Sequence, residues 1–172
     1  MTSSVRTFLP VVGDVTALGQ VFAADPSRWL PASRRDGAAD RWAVPVRGGG
    51  VTRVVAVAVG PPWRAGSTWW RSLSWEPAPE GVGAGAFDRL LPSFDGELGL
   101  HRVDDTHGTL ILDGWYRPPG GALGSAADAV ALRRVARSTM FGFLTDLAAQ
   151  ITSASVLSGG GVPADPRPDV TA

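Results

Sequence analysis

The sequence of 172 residues contains no cysteine. That absence removes disulfide stapling, zinc-thiolate sites and cysteine nucleophiles together. Lysine is missing as well. All 16 basic residues are arginine, so Schiff-base catalysis through lysine is excluded. Neither sign of charge is in excess, since 16 acidic residues balance the arginines to a formal net charge of +0. A nucleic-acid groove or a polybasic membrane patch therefore has no compositional support. Unbroken apolar runs are short. Phe8 to Val12 falls below the length of a signal-peptide core, and no run reaches the ~18 residues of a membrane span. A cytoplasmic location without a membrane span is the expectation.

What is present suits one domain of about 150 residues, a size that buries roughly two-thirds of its unfolded surface and needs no disulfide or metal to fold. The division reads as one domain over residues 1–155 and a disordered Gly/Pro-rich tail over 156–172. Val5 to Val12 is β-branched and carries Pro10, which suits an edge strand. Asp14 offers an N-cap oxygen to a short helix with Leu18, Val21 and Phe22 at helical spacing, and Asp25-Pro26 opens a second helical turn that Pro31 stops. Ala32 to Asp40 reads as a loop. Strands are expected over Arg41 to Arg47, Val51 to Val59, Ser67 to Glu76, Phe94 to Val103 and Thr109 to Tyr116. Between them lie the Gly48-Gly49-Gly50 turn, Pro61-Pro62, a Pro/Gly loop over Pro77 to Gly85, and the turn Asp104 to Gly108.

A long helix closes the pattern, from about Leu123 to Thr152. Ala126, Ala129, Val130, Ala136, Met140, Phe143, Leu144, Leu147 and Ile151 share one face, and Asp128, Ser138, Thr145 and Asp146 the other. Strands in succession followed by a helix argue for an α+β fold, since βαβ crossovers would need helices between the strands. The expectation is a curved antiparallel sheet wrapped around the C-terminal helix, with two short helices after the first strand. A cavity between the two layers is a usual place for a small apolar ligand.

This order, with the motif Leu110-x-Leu112-x-Gly114-x-Tyr116-x-Pro118-Pro119-x-Gly121-x-x-Gly124 and then Asp128, Arg134, Ala136, Phe143 and Leu144, resembles the START-like helix-grip superfamily, also called SRPBCC. Within it the chain looks like an actinobacterial group. The resemblance covers about Val5 to Thr152. It implies the helix-grip fold and a START-like ligand-binding domain; the superfamily includes lipid-transfer domains, plant hormone-binding proteins and aromatic polyketide cyclases. A shared fold does not hand over a function.

Few side chains are poised for chemistry. Of the two histidines, His107 lies in a turn and His101 on a polar strand face, and neither has the spacing of a metal ligand. No metal and no cofactor are expected. On the long helix Arg133 and Arg137 border the apolar face, while Arg134 points further round. They either brace the helix against Asp128, Asp113 or a carbonyl, or one of them, Arg137, anchors a carboxylate, phenolate or enolate.

Arg71 shares a strand face with Trp69, Leu73 and Trp75. There it is either a cation-π brace or a contact to a substrate carbonyl or oxyanion. Of the seven tryptophans, Trp69 and Trp75 are the expected cavity-lining pair, with Tyr116; Trp70 and Trp115 fall on the opposite parity, exposed or used in self-association. The turn Pro118 to Gly124 is structural or, as the alternative, an anion cradle.

The expected ligand-binding set is thus Trp69, Arg71, Leu73, Trp75, Tyr116, Arg137 and Met140, with no catalytic residue assigned. Binding of a small hydrophobic molecule (a lipid, polyketide or isoprenoid-like compound) is the leading expectation. A polyketide cyclase/dehydratase-type enzyme that shapes a reactive chain with Arg71, Arg137 and Tyr116 is the alternative. The third is an interaction module, with a homodimer as the partner.

Overall fold

The computed structural model describes residues 3–31, 33–35, 41–48, 51–77, 93–117 and 126–159. The elements run β1 (Ser3–Val12), α1 (Val15–Ala23), a 3-10 turn (Pro26–Arg28), β2 (Arg34–Arg35), β3 (Arg41–Gly48), β4 (Val51–Val59), β5 (Trp63–Ala65), β6 (Thr68–Pro77), β7 (Ser93–Arg102), β8 (His107–Arg117) and α2 (Ala126–Gly159). The expected strands are present, together with two that composition hid. β2 is a two-residue strand, and β5 has three exposed residues after the prolines. Both are too short for an alternation signal and exist only because β3 and β6 offer an edge.

Asp14 caps α1 by accepting hydrogen bonds from the amides of Thr16 (2.8 Å) and Ala17 (3.4 Å). Asp25 does the same for the 3-10 turn, through the Ser27 amide at 2.9 Å. The turn between β7 and β8 is built by Asp104, which accepts from the amides of Thr106 and His107, both at 2.7 Å. That turn also holds the start of α1: the amides of Gly13 and Val15 donate to the carbonyls of Thr106 and Asp105.

All strand pairs are antiparallel, and the eight-stranded sheet has the order β1-β8-β7-β6-β4-β3-β2, with β5 beside β6. Contrary to the sequence expectation of a curved sheet wrapped around the helix, the sheet is not strongly curled. Its path is open, ending at β1 and β2. Strong curvature needs bulges or kinks that break the ladder. Here β1–β8, β6–β7, β7–β8 and β3–β4 each hold one register from end to end.

One face of the sheet carries the core. Val44 and Val46, Val55 and Val57, Leu73 and Trp75, Leu98 and Leu100, and Leu110 and Leu112 alternate inward and are buried. α2 lays Ala136, Met140, Phe143, Leu144, Leu147 and Ile151 on them. Each large side chain so buried contributes about 1.5–3 kcal/mol. On β4 only this inner side is sealed; Val54 on the outer side is exposed, so the strand is not covered on both sides.

α2 carries on past Thr152 to Gly159, so residues 156–159 of the expected 156–172 tail are helical; the rest of that tail and the turn at 118–124 lie outside the described residues. Ala136–Ser158 is also long and apolar enough to match a membrane span by length and composition. The stretch contains no long unbroken apolar run, because Arg137, Asp146, Gln150 and several serines and threonines interrupt it. A third of that window is buried within the protein, as a helix that packs on one side requires.

Candidate functional site

α2 crosses the inner face, packing on β3 towards one side and on β1 and β8 towards the other, while α1 covers the inner ends of β6 and β7. In the middle the two layers touch through aromatic rings. Trp75 stacks on Phe94 (centroids 4.6 Å apart, planes at 25°) and tilts against Phe143 of α2 at 5.3 Å. Room for the Phe94 ring comes from the paired glycines Gly96 and Gly114. A Cβ on Gly114 would lie 2.4 Å from the Asp95 carbonyl oxygen and 2.9 Å from the ring tip. This is a steric reason for the glycine in the strand motif.

Among the described residues, three cavities border this packed centre. The largest of these, about 670 Å³, lies where β1 and β8 meet α2, and is lined by Ser3, Ser4, Val5, Arg6, Thr7, Tyr116, Arg137 and Phe141. Tyr116 is 4% exposed and Phe141 is 52% exposed, so the cavity runs from core to surface. Arg137 is exposed and, among the described residues, has no ion pair and no hydrogen-bond partner. A second cavity of about 450 Å³ is a trough on the outer face, floored by Ala56, Ala58 and Ser74 and flanked by Arg41, Glu76, Asp95, Trp115 and Arg117. The third, also about 450 Å³, lies at the end of the β4–β6 pair beside Asp25, Arg35, Gly60, Arg71 and Leu73.

The sequence-predicted set is therefore divided. Tyr116 and Arg137 share the β1–α2 cavity, and Arg71 and Leu73 border the third one. Trp75 borders the outer trough from below while its ring stays in the core. Met140 is fully buried in that core. Trp69 packs beneath α1, where Gly19 leaves room for it: a Cβ there would lie 2.7 Å from the indole nitrogen. Arg64 covers its ring from outside at 5.1 Å.

Arg71 is 3% exposed and its guanidinium is engaged by carbonyls. Nε donates to Phe22 O (3.0 Å), Nη1 to Gly60 O (2.8 Å), and Nη2 to Ala23 O (2.9 Å) and Ala24 O (2.7 Å). Three of these acceptors are the unpaired carbonyls at the C-terminus of α1, where a cation is favoured by the helix dipole. The rings of Trp29 and Phe22 lie 5.5 and 6.0 Å from its carbon centre. Burial lowers its pKa from the ordinary value, and the charge of Asp25 acts in the other direction. An arginine stays protonated through such a shift.

The histidines are turn and strand fixtures. His101 Nδ1 lies 2.9 Å from Thr68 Oγ1, and His107 Nδ1 lies 2.9 Å from an Asp104 carboxylate oxygen. Among the described residues no three His, Asp or Glu side chains converge as metal ligands would.

The residues that sequence reasoning missed are Ser3 to Thr7 and Phe141. The composition of β1 suits an ordinary edge strand, and its position beside the last strand is a fact of topology. Phe141 could have been found, because it follows Arg137 by one helical turn.

No protein-family model matches this chain, and no curated protein matches it. Solved structures do. The Zhui aromatase/cyclase of a Streptomyces species superposes at a TM-score of 0.55 with 10% identity, covering 95% of this chain and all of that one (100%). A norcoclaurine synthase of Thalictrum flavum, solved as a point mutant with a transition-state analogue, gives 0.52 at 11% identity, covering 92% and 96%. A fragment of the STAR-related lipid transfer protein of Xanthomonas axonopodis gives 0.51 at 15% identity, covering 86% and 85%. At these identities the likeness is one of fold: the chain shares the helix-grip fold of these proteins, with a sheet that is not strongly curled.

Proposed function

We propose that this protein binds a small hydrophobic molecule, of lipid, polyketide or isoprenoid type, in the cavity between β1, β8 and α2. The carrying observation is the cavity itself. Its volume of about 670 Å³ lies within the range of roughly 300–1,000 Å³ usual for small-molecule sites. It joins buried Val5 and Tyr116 to half-exposed Phe141, so a ligand can enter from solvent and bury its apolar part. The other two cavities are smaller, at about 450 Å³ each, and are bordered by acidic side chains.

The cyclase/dehydratase reading keeps Tyr116 and Arg137 in this cavity but loses Arg71, whose N–H groups are directed at four carbonyls. Self-association draws on Trp115, exposed at 60% on the outer face.

The test is titration of the full chain with a neutral fluorescent naphthylamine, together with native mass spectrometry for a co-purifying compound. Thr7→Trp, which places an indole at a half-buried cavity position, should weaken probe binding by about tenfold, or ~1.4 kcal/mol. Binding that Thr7→Trp leaves untouched would sink the proposal.

A further inference from the structure

Five consecutive residues of β1, Ser3 to Thr7, line the β1–α2 cavity. Side chains alternate across a strand, so a run of five without a gap means that the strand's edge, not one face, forms the wall. Among the described residues, β1 ends the sheet and pairs with β8 alone. Every second residue therefore turns its backbone N–H and C=O away from β8, with no strand partner among the described residues.

The side chains at this wall add donors and positive charge. Ser3, Ser4, Thr7 and Tyr116 bring hydroxyls, Arg6 and Arg137 bring guanidinium groups, and among the described residues no acidic side chain lines the cavity. Arg6 is neutralised by Asp113 on the outer face. Arg137 has no such partner among the described residues. The two other cavities each set acids against their arginines: Glu76 and Asp95 beside Arg41 and Arg117, and Asp25 and Asp95 beside Arg35 and Arg71. In a chain with a net charge of +0, a cavity with no acid among its described lining residues and one uncompensated arginine is a local departure.

We infer that the ligand of this cavity is an anionic amphiphile. Its apolar body lies against Val5, Tyr116 and Phe141, and its head, a carboxylate or a phosphate monoester, is received by Arg137 and the free edge of β1. This rests on the hydrophobic-ligand reading above and adds the sign and the place of the head group. A planar guanidinium suits both heads, because it can donate two parallel hydrogen bonds to their oxygens.

Calorimetric titration of the full chain with dodecanoate, dodecyl phosphate, dodecanol and dodecyltrimethylammonium, below their micelle concentrations, tests the inference. At least one anion should bind about tenfold or more tighter than the alcohol, with the ammonium weakest; which anion wins assigns the head. Arg137→Gln should bring the anions down to the level of the alcohol while leaving the alcohol unchanged. Arg134→Gln, an exposed arginine of the same helix outside the cavity lining, should keep the preference. Equal binding of anions and alcohol, or a preference that survives Arg137→Gln, overturns the inference while the hydrophobic-ligand reading stands. Failure of all four ligands to bind overturns both.

Discussion

Arg71 and Arg137 approach the same layered interior from different elements and end in opposite conditions. Arg71 comes from the middle of a central strand and reaches the end of α1, where carbonyls from Phe22 to Ala24 and Gly60 surround its guanidinium. Arg137 comes from α2 and opens on a cavity whose wall is a strand edge. The difference is one of what terminates nearby. A helix C-terminus supplies unpaired acceptors and takes up a cation. An open sheet edge beside hydroxyls supplies donors, and leaves the cation available to something from solution. At the α1 end the cation is held by the protein's own carbonyls, while at the β1–α2 end the proposed ligand would take their place.

The packed centre between the two ends gives the largest expected effect. Trp75→Ala removes the ring that stacks on Phe94 and leans on Phe143. It should cost roughly 4 kcal/mol in chemical denaturation, as large-to-small changes of buried aromatic residues do. A loss below ~1 kcal/mol would mean that the two ends are not separated by a packed core.

Next comes the contrast of the two arginines themselves. Arg71→Met leaves buried carbonyls without a donor and should destabilise the fold by about 3 kcal/mol, with amide exchange rising first in α1. Arg137→Gln, exposed and unpaired, should stay within ~0.5 kcal/mol of the parent protein. Similar losses for both would erase the distinction drawn between them.

The smallest effect concerns the turn that holds the start of α1. The amides of Thr106, the side chain of His107 and further hydrogen bonds hold the exposed Asp104 carboxyl down from 3.8 to about 2. A pKa lowered by folding stabilises the folded state above the unfolded value, and that contribution is lost as pH falls through the folded one. The melting-temperature difference between the parent protein and Asp104→Asn should be constant above the pH of the free carboxyl. It should then shrink as pH falls from about 4 towards about 2. A difference that does not change over that window would show that the carboxylate does not hold the turn.

Much of the fold was legible because it is written in short-range periodicity. Alternation along Arg71, Leu73 and Trp75 places them inward, and helical spacing from Ala136 to Ile151 selects the face that α2 buries. The capping by Asp14 and Asp25 was readable from residue type and position alone. The site was less legible. Tyr116 and Arg137 meet in one cavity, but Trp69 is covered by α1, and Trp75 and Met140 fill space rather than surround it. Parity says which side of a sheet a residue faces. It does not say which helix covers that stretch of the strand, or whether the layers touch there.

The sequence by itself determined the elements, their inward faces and the chemistry that absent residue types forbid, because these follow from neighbours a few positions apart. Tertiary structure decided the rest. Arg71 lies 47 to 49 positions from the α1 carbonyls it holds, and β1 meets β8 across most of the chain. Unbroken ladders kept the sheet from curling strongly. These outcomes depend on contacts between distant segments, whose register and covering are settled only when the whole sheet is assembled.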